Sequence, residues 1–173
     1  FMHNQISDKN FLDKILKVID ELKSENLLSH FGMSVYDLNE ILDIDQVEAY
    51  QVPANYLDRR FFNLFNSNND RVFQARSIFL QGILLANYQD LPQEFKESVI
   101  LKKYHRNFRT LEQKIFHCFS VLDNSQADEI LFGVSNIQEL EQILEIVNKK
   151  DEFIEISDNY EYEENILDPR KWD

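Results

Sequence analysis

Polar side chains follow two short apolar segments in the middle of the chain, at the points where each segment would end as a strand. QVPANYLDRR occupies residues 51–60, and ARSIFLQGILL occupies residues 75–85. Parallel α/β proteins build their sites from polar groups at the carboxyl ends of strands that alternate with helices. The pattern therefore predicts a ligand-facing surface within residues 51–85.

Residues 133–138 form a second candidate site, because a predicted strand there leads directly into a predicted helix. The strand EILFG ends at Gly133, and Ser135 with Gln138 three residues later has the pattern of a capping box. The helix should run from Asn136 to Val147. Its inward residues are predicted to be Ile137, Leu140, Ile143, Leu144 and Val147. Such a helix start presents free N–H groups and a positive dipole end, which favours an anion.

The other elements must position these two segments. Helices are predicted at 9–24 with Asp8 as N-cap, at 37–43, from Asp58 to 66, from Pro92 to about 103, and at 107–122. The last of these has one apolar stripe, made of Phe108, Leu111, Ile115, Phe119 and Leu122. Strands are predicted at 30–36, ending near Ser34, from Val47 to Pro53, at 71–77 and at 129–133. This alternation implies a parallel sheet, either open and doubly wound or closed into a barrel.

The composition fits one domain and limits the classes of partner. The chain of 173 residues has 18 basic and 31 acidic side chains, and its net charge of −13 argues against nucleic acid as a partner. We divide it into residues 1–150, which carry the predicted elements, and an acidic C-terminal tail at 151–173. The single cysteine, Cys118, fits a reducing compartment and is expected in the core. No apolar run approaches the ~20 residues that span a bilayer, so we expect a cytoplasmic protein without membrane contact.

Several segments occur in the order of the strands of one enzyme family. They are FMHN (1–4), GMSVY (32–36), YQVPANYLDRR (50–60), RSIFLQGILL (76–85) and LFGVSNIQELEQI (131–143). In this order they resemble strands four to eight of the aldo/keto reductases. PxNxLDRR, RSxFLQG and the closing ILDPRKW resemble a bacterial branch of that family. The resemblance implies an α/β fold of the (β/α)8 TIM-barrel type, of which this chain holds the C-terminal five βα units.

The resemblance also implies an activity, the reduction of an aldehyde, ketone or sugar carbonyl by hydride transfer from NADP or NAD. Carbonyl reduction needs the hydride donor held beside the carbon and an acid near the oxygen. In the family a tyrosine is the acid, a lysine and an aspartate tune it, and a histidine orients the substrate. His3 matches this histidine. The histidines at 30, 105 and 117 match no motif and are expected to be structural or exposed.

Cofactor-binding positions carry over from the family to particular residues. Ser34 and Gln51 match positions that bind the nicotinamide carboxamide, which needs both donors and acceptors. Arg76 matches a position where many members stack a tyrosine under the nicotinamide ring, although its cation could instead meet an anionic substrate or a cofactor phosphate. The loop that covers the pyrophosphate is matched by Ser77, Leu80, Gln81 and Gly82.

The adenosine-side phosphate of NADP is placed by the resemblance at the start of the last helix. The matching residues are Gly133, Ser135 and Asn136. SNIQE offers no basic side chain for a 2′-phosphate, so NAD remains an alternative. For Asn55, Asp58, Arg59 and Arg60, which form the most distinctive motif, a structural ion-pair network and substrate contact are equally open.

The chain matches five of the eight family strands, and the family positions of the catalytic aspartate, tyrosine and lysine have no match in it. Three situations would account for this. The chain belongs to a longer reductase, or it pairs with a second copy or another chain, or it is a non-catalytic half-barrel that acts as a binding or assembly module. We favour the first, because the cofactor-binding positions are largely retained.

Overall fold

The computed structural model describes residues 2, 9–41, 44–65, 70–149 and 162–172, and within them a four-stranded sheet organises the chain. Its strands are β1 (Gly32–Ser34), β2 (Ala49–Pro53), β3 (Val72–Arg76) and β4 (Glu129–Ile130). They pair in parallel and in chain order. Met2 adds a parallel bridge to Met33 beyond β1. The predicted parallel α/β architecture is therefore confirmed.

The helices are α1 (Lys9–Ser24), α2 (Phe62–Phe65), α3 (Gln93–Glu97), α4 (Val99–Asn107), α5 (Leu111–Asn124), α6 (Ile137–Val147) and α7 (Glu164–Leu167). Single 3₁₀ turns occur at Leu38–Glu40, Tyr88–Asp90 and Pro169–Lys171. None of the helices in the described ranges has the length and apolarity to cross a bilayer.

The bounds predicted for α1 are confirmed, and four other helix predictions are corrected. The helix predicted from Asp58 to 66 is the short α2, with residue 66 outside the described part, and the helix predicted from 107 begins at Leu111 after the Thr110 cap. The single helix predicted from Pro92 is two helices, because the Ser98 hydroxyl accepts the Leu101 N–H at 3.2 Å and starts α4 anew. The helix predicted at 37–43 is a 3₁₀ turn over Leu38–Glu40, with residues 42–43 outside the described part. Asp8, the predicted cap of α1, also lies outside it.

The two faces of the sheet differ in polarity, because alternate residues of a strand point to opposite sides. Tyr50 and Val52 of β2, with Phe73 and Ala75 of β3, are fully or almost fully buried, and the rings of Tyr50 and Phe73 stack 5.9 Å apart. The residues between them, Gln51 and Gln74, are only half-buried on the other face. One face therefore makes the core, and the other carries polar groups.

Helix α5 is buried on most of its circumference, beyond the single stripe predicted for it. Ile115, Phe119 and Leu122 of that stripe are buried, but Leu111 in the first turn is 42% exposed. Cys118 is fully buried, as predicted, and this burial raises the pKa of its thiol to about 12. A thiol with so high a pKa is a packing residue.

The histidines without a motif are placed as expected. His30 is exposed, with 79% of its side chain accessible, while His105 and His117 are buried. Burial and the nearby Lys114 lower the pKa of His105 to about 4. His105 and His117 are therefore packed in the interior, and His30 lies on the surface.

Helix α6 presents a different face to the core from the one predicted. Ile143 and Ile146 are buried, whereas Ile137 is 69% and Leu144 47% exposed. The helix packs on α5, and this contact buries Ile143 and Ile146. Its cap is Asn136 rather than Ser135, because the Asn136 side chain accepts the Glu139 N–H at 2.8 Å.

Part of the predicted acidic tail folds onto the domain. Within the described residues 162–172, the side chains of Ile166, Leu167 and Asp168 are buried. Trp172 packs edge-on against Phe95 of α3, with ring centroids 5.0 Å apart. These residues are therefore part of the packed structure, and the division at residue 150 stays a prediction.

Glu48 joins three elements at the amino-terminal edge of the sheet. Its Oε2 accepts hydrogen bonds from the Lys23 ammonium at 2.7 Å and from the Phe31 N–H at 3.0 Å. The bond from Lys23 is the main cause that lowers the pKa of Glu48. The end of α1 is thereby tied to the beginnings of β1 and β2.

We predict that Glu48→Gln lowers the free energy of unfolding at pH 7 by about 0.5–1 kcal/mol, the range for a half-exposed ion pair. A carboxylate whose pKa is lowered on folding contributes stability above its unfolded pKa near 4.5, and that contribution is lost as the pH falls through the folded value. The deficit should therefore shrink below about pH 4. Urea unfolding at both pH values measures it. Glu25→Gln, at an exposed residue after α1, is the control, and an equal loss there would contradict the role of Glu48.

Candidate functional site

A row of polar side chains crosses the open face of the sheet at one level. Ser34, Gln51, Gln74 and Glu129 are partners in the strand register, so each lies beside the next. The Ser34 hydroxyl donates to Gln51 Oε1 at 3.5 Å, Gln51 Nε2 donates to Gln74 Oε1 at 3.4 Å, and Gln74 Nε2 donates to the Glu129 carboxylate. We call these four residues the polar row. It contains the two predicted carboxamide ligands and two residues that the sequence did not single out.

Arg76 lies on the same face as Gln74 and is held by neighbouring groups. Its Nη2 donates to the Val35 carbonyl at 3.1 Å, and its Nη1 donates to the Ser77 hydroxyl at 3.4 Å. The guanidinium carbon lies 4.1 Å from the centroid of the Tyr36 ring. Arg76 therefore stacks on an aromatic ring of this chain. That it also stacks under a nicotinamide ring stays a prediction.

Alternating charges join the loops after β1 and β2 to the C-terminal segment. Asp58, which is fully buried, accepts from Arg60 Nε at 2.9 Å and Nη2 at 2.8 Å, and Arg60 Nη1 reaches Asp37 at 3.3 Å. Arg170 makes a two-point contact with Asp168 and also reaches Asp37 at 3.5 Å. We call these five residues the ion chain. The hydrogen bonds from Arg170 lower the pKa of Asp168.

The ion chain shows one of the two roles that the sequence left open for Asp58 and Arg60. Asp58 and Arg60 form a structural ion pair, and they are linked to residues that sequence reasoning did not connect with them. Arg170 also contacts the Tyr36 ring, at 3.9 Å from its centroid, so Tyr36 touches two guanidinium groups. No short-range pattern signals this arrangement, because Asp37 and Arg170 are 133 residues apart in sequence.

Asn55 connects the loops after β2 and β3. Its Oδ1 accepts the N–H groups of Leu57 and Asp58, each at 2.9 Å, and its Nδ2 donates to the Ser77 carbonyl at 3.3 Å. The Ala54 N–H donates to the Arg76 carbonyl at 3.0 Å beside it. The start of the loop that follows β3 is therefore held in place by the loop that follows β2.

A pocket of about 340 Å³ lies between the loops that follow β3 and β4. Predicted cofactor-binding residues among its lining are Ser77, Gln81, Gly82 and Gly133. Residues that sequence reasoning missed complete it: Ile78, Phe79, Leu85, Leu131, Phe132 and Glu139. We call it the loop pocket. A larger cavity of about 740 Å³ between α3 and the C-terminal segment contains none of the predicted residues, so we place the candidate site at the loop pocket.

The backbone of the loop after β3 has an unusual conformation. Ser77, Leu80, Gln81 and Gly82 have φ values of 58°, 47°, 53° and 89°, in the left-handed region that non-glycine residues rarely adopt. Within the described residues, the N–H groups of Ile78, Phe79 and Gln81 donate no hydrogen bond. Free N–H groups in a loop with left-handed residues are suited to bind an anion.

Leu80 is the one residue predicted for the loop after β3 that does not line the loop pocket. Leu80 is fully buried and fixes the loop from beneath, so it does not line the pocket. His3, the predicted catalytic histidine, lies outside the described residues. The described residues also contain no cluster of three or more His, Cys, Asp or Glu side chains that could hold a metal ion.

The start of α6 forms the other wall of the loop pocket. A Cβ atom built on Gly133 would meet no atom within 4 Å, so the pocket is open at this point. Asn136 caps the helix, and the Glu139 carboxylate accepts the Ser135 N–H at 2.7 Å. One of the donors predicted for a phosphate is therefore already bound to a carboxylate of the chain.

Solved structures of an aldo-keto reductase from Bacillus halodurans have a similar fold. The apo form aligns with a TM-score of 0.59 and 18% sequence identity, over 89% of this chain and 56% of that chain. The holo form aligns with a TM-score of 0.58 and 19% identity, over 85% and 54%. Comparisons with protein-family models and with curated proteins gave no match.

These likenesses establish the fold, and they confirm the prediction of a partial TIM barrel. The chain spans about half the length of the aldo-keto reductase that it resembles, as the coverage of 56% shows. The sheet of β1 to β4 with its helices thus corresponds to a portion of a (β/α)8 barrel.

We predict that Asp58→Asn lowers the free energy of unfolding by about 2 kcal/mol, because Arg60 loses the carboxylate that accepts two charged hydrogen bonds. Urea unfolding followed by circular dichroism measures the change. Asp70→Asn, at an exposed carboxylate, serves as the control and should stay within about 0.5 kcal/mol of wild type. A loss at Asp58 no larger than that of the control would contradict the ion chain.

Proposed function

We propose that this chain is the cofactor-binding, C-terminal part of an NAD(P)H-dependent oxidoreductase that reduces an aldehyde, ketone or sugar carbonyl. The observation that carries the proposal is the loop pocket, which lies at the carboxyl ends of parallel strands and combines free N–H donors with apolar walls. Barrels of this type hold their ligands at that edge. The fold that this chain shares with an aldo-keto reductase supports the same proposal.

The loop pocket fits one nucleotide half of such a cofactor. Its volume of about 340 Å³ lies at the lower end of the range for small-molecule sites. The N–H groups of Ile78, Phe79 and Gln81 would donate to a pyrophosphate, as the resemblance implies for this loop. Phe79 and Phe132, whose rings lie 6.3 Å apart, offer apolar surface to a base.

The polar row would receive the nicotinamide end. A carboxamide needs one acceptor and two donors, and Ser34 and Gln51 supply a hydroxyl and a side-chain amide side by side. The cofactor, when bound, supplies the hydride. The residues of the polar row only orient it, and His3 would orient the carbonyl oxygen. The tyrosine, lysine and aspartate of the family are assigned to no residue of this chain.

We predict that Gly133→Leu weakens NADH binding by about tenfold or more, because the new side chain occupies the open space of the loop pocket. Titration calorimetry of the full chain measures the affinity. The fold should be retained, since a Cβ at Gly133 meets nothing within 4 Å, and far-UV circular dichroism checks this.

Val134→Leu is the matched control for this test. Val134 is the next residue, is 40% exposed and does not line the loop pocket. Its variant should bind NADH as wild type does. The proposal fails if the wild-type chain, and the intact protein to which it belongs, bind neither NADH nor NADPH.

The second candidate function is a binding or assembly module without turnover, and exposed apolar side chains on the last βα unit favour it. Leu131, Val134, Ile137 and Leu144 are 38%, 40%, 69% and 47% exposed. Exposed apolar side chains mark an interaction site where they lie together on the surface.

If the chain assembles through this surface, sedimentation velocity should show a complex that Ile137→Glu dissociates, because a charge cannot be buried there without a partner. Glu141→Gln, at an exposed residue of the same helix, should leave the complex intact. A wild-type chain that stays monomeric and cooperatively folded would count against the module.

A further inference from the structure

Glu139 occupies a particular position in the loop pocket. It lies in the first turn of α6, and its Oε2 accepts the Ser135 N–H at 2.7 Å. Its own N–H is held by the Asn136 cap at 2.8 Å, so the residue is fixed at both its backbone and its side chain. Within the described residues Oε1 has no hydrogen-bond partner, and it remains available to a ligand.

Glu139 is also the one charged residue among those that line the pocket in the described part of the chain. The other lining residues are apolar, glycine, serine or glutamine. No lysine, arginine or histidine is there to neutralise an added anion. The chain as a whole carries a net charge of −13, which adds to the negative potential.

We infer that Glu139 makes the loop pocket select nucleotides with free ribose hydroxyls, NAD and NADH, over their 2′-phosphorylated counterparts NADP and NADPH. The inference rests on the function proposed above and specifies its cofactor. It makes Glu139 the specificity-determining residue of the site.

The chemistry of the two ribose ends explains the selection. A carboxylate accepts hydrogen bonds from hydroxyl groups, and dinucleotide-binding folds use an acidic side chain to contact the ribose 2′-OH of NAD. A 2′-phosphate carries about −1.5 to −2 charges at pH 7 and has only acceptor oxygens in this form. Placed beside Glu139, it meets a like charge in a partly desolvated pocket and loses the Ser135 N–H that Glu139 already holds.

The test compares the binding of NAD and NADP, which differ only in the 2′-phosphate, by titration calorimetry of the full chain. Wild type should bind NAD about tenfold or more tightly than NADP, and the ratio should fall as salt screens the repulsion. Glu139→Gln removes the charge but keeps an acceptor for the Ser135 N–H, so it should reduce the ratio without loss of fold. Glu139→Lys should reverse the preference.

Glu141→Lys is the matched control, because it makes the same change of charge on the same helix at an exposed residue outside the pocket. Its ratio should remain that of wild type. The inference is overturned if wild type binds NADP as tightly as NAD, or if Glu141→Lys shifts the ratio as much as Glu139→Lys. If wild type binds neither nucleotide, the proposed function itself has failed, which is a distinct result.

Discussion

Gln51 and Gln74 lie side by side because β2 and β3 pair in parallel with these two residues as partners. The same register places Ser34 beside Gln51 and Glu129 beside Gln74, which makes the polar row continuous. A slip of one residue would exchange the faces, because side chains alternate along a strand. Tyr50 or Val52 would then replace Gln51 on the open face, and the core would receive an amide in place of an apolar group. The cost of that burial is what holds the register and, through it, the polar row.

The parallel register also brings the loops after the strands to one edge, where buried polar contacts hold them. Asn55 fixes the loop after β2 and reaches the first carbonyl of the loop after β3. The ion chain ties the loops after β1 and β2 to the segment that ends the chain. A partly buried network of this kind gives a defined geometry rather than a large gain in stability. The left-handed residues of the loop at 77–82 need such support, because their backbone conformation is unfavourable outside a fixed environment.

The limits of prediction from sequence follow from the range of the interactions involved. Helix α1 begins and ends where its apolar periodicity predicts, since that signal is local. The break at Ser98 and the cap at Asn136 each depend on whether that side chain turns toward the backbone N–H three residues later, and its hydrogen bond to that N–H is a tertiary detail of the fold. The buried face of α6 is set by α5, so the helical repeat alone placed Ile137 and Leu144 on the wrong side. Positions in the loop after β3 came from a resemblance of motifs, whereas the contact between Tyr36 and Arg170 depends on tertiary structure alone.

The loop pocket shows why a shared fold does not determine which nucleotide binds. The first N–H groups of a helix can satisfy a phosphate or a carboxylate of the chain, but the same N–H cannot serve both well. Here the Asn136 side chain caps α6 by accepting the Glu139 N–H, and the Glu139 carboxylate in turn accepts the Ser135 N–H. A residue that stabilises the helix start therefore also sets the charge of the pocket wall. The barrel fold locates the pocket, and the capping residues of α6 set the electrostatics that a nucleotide meets there.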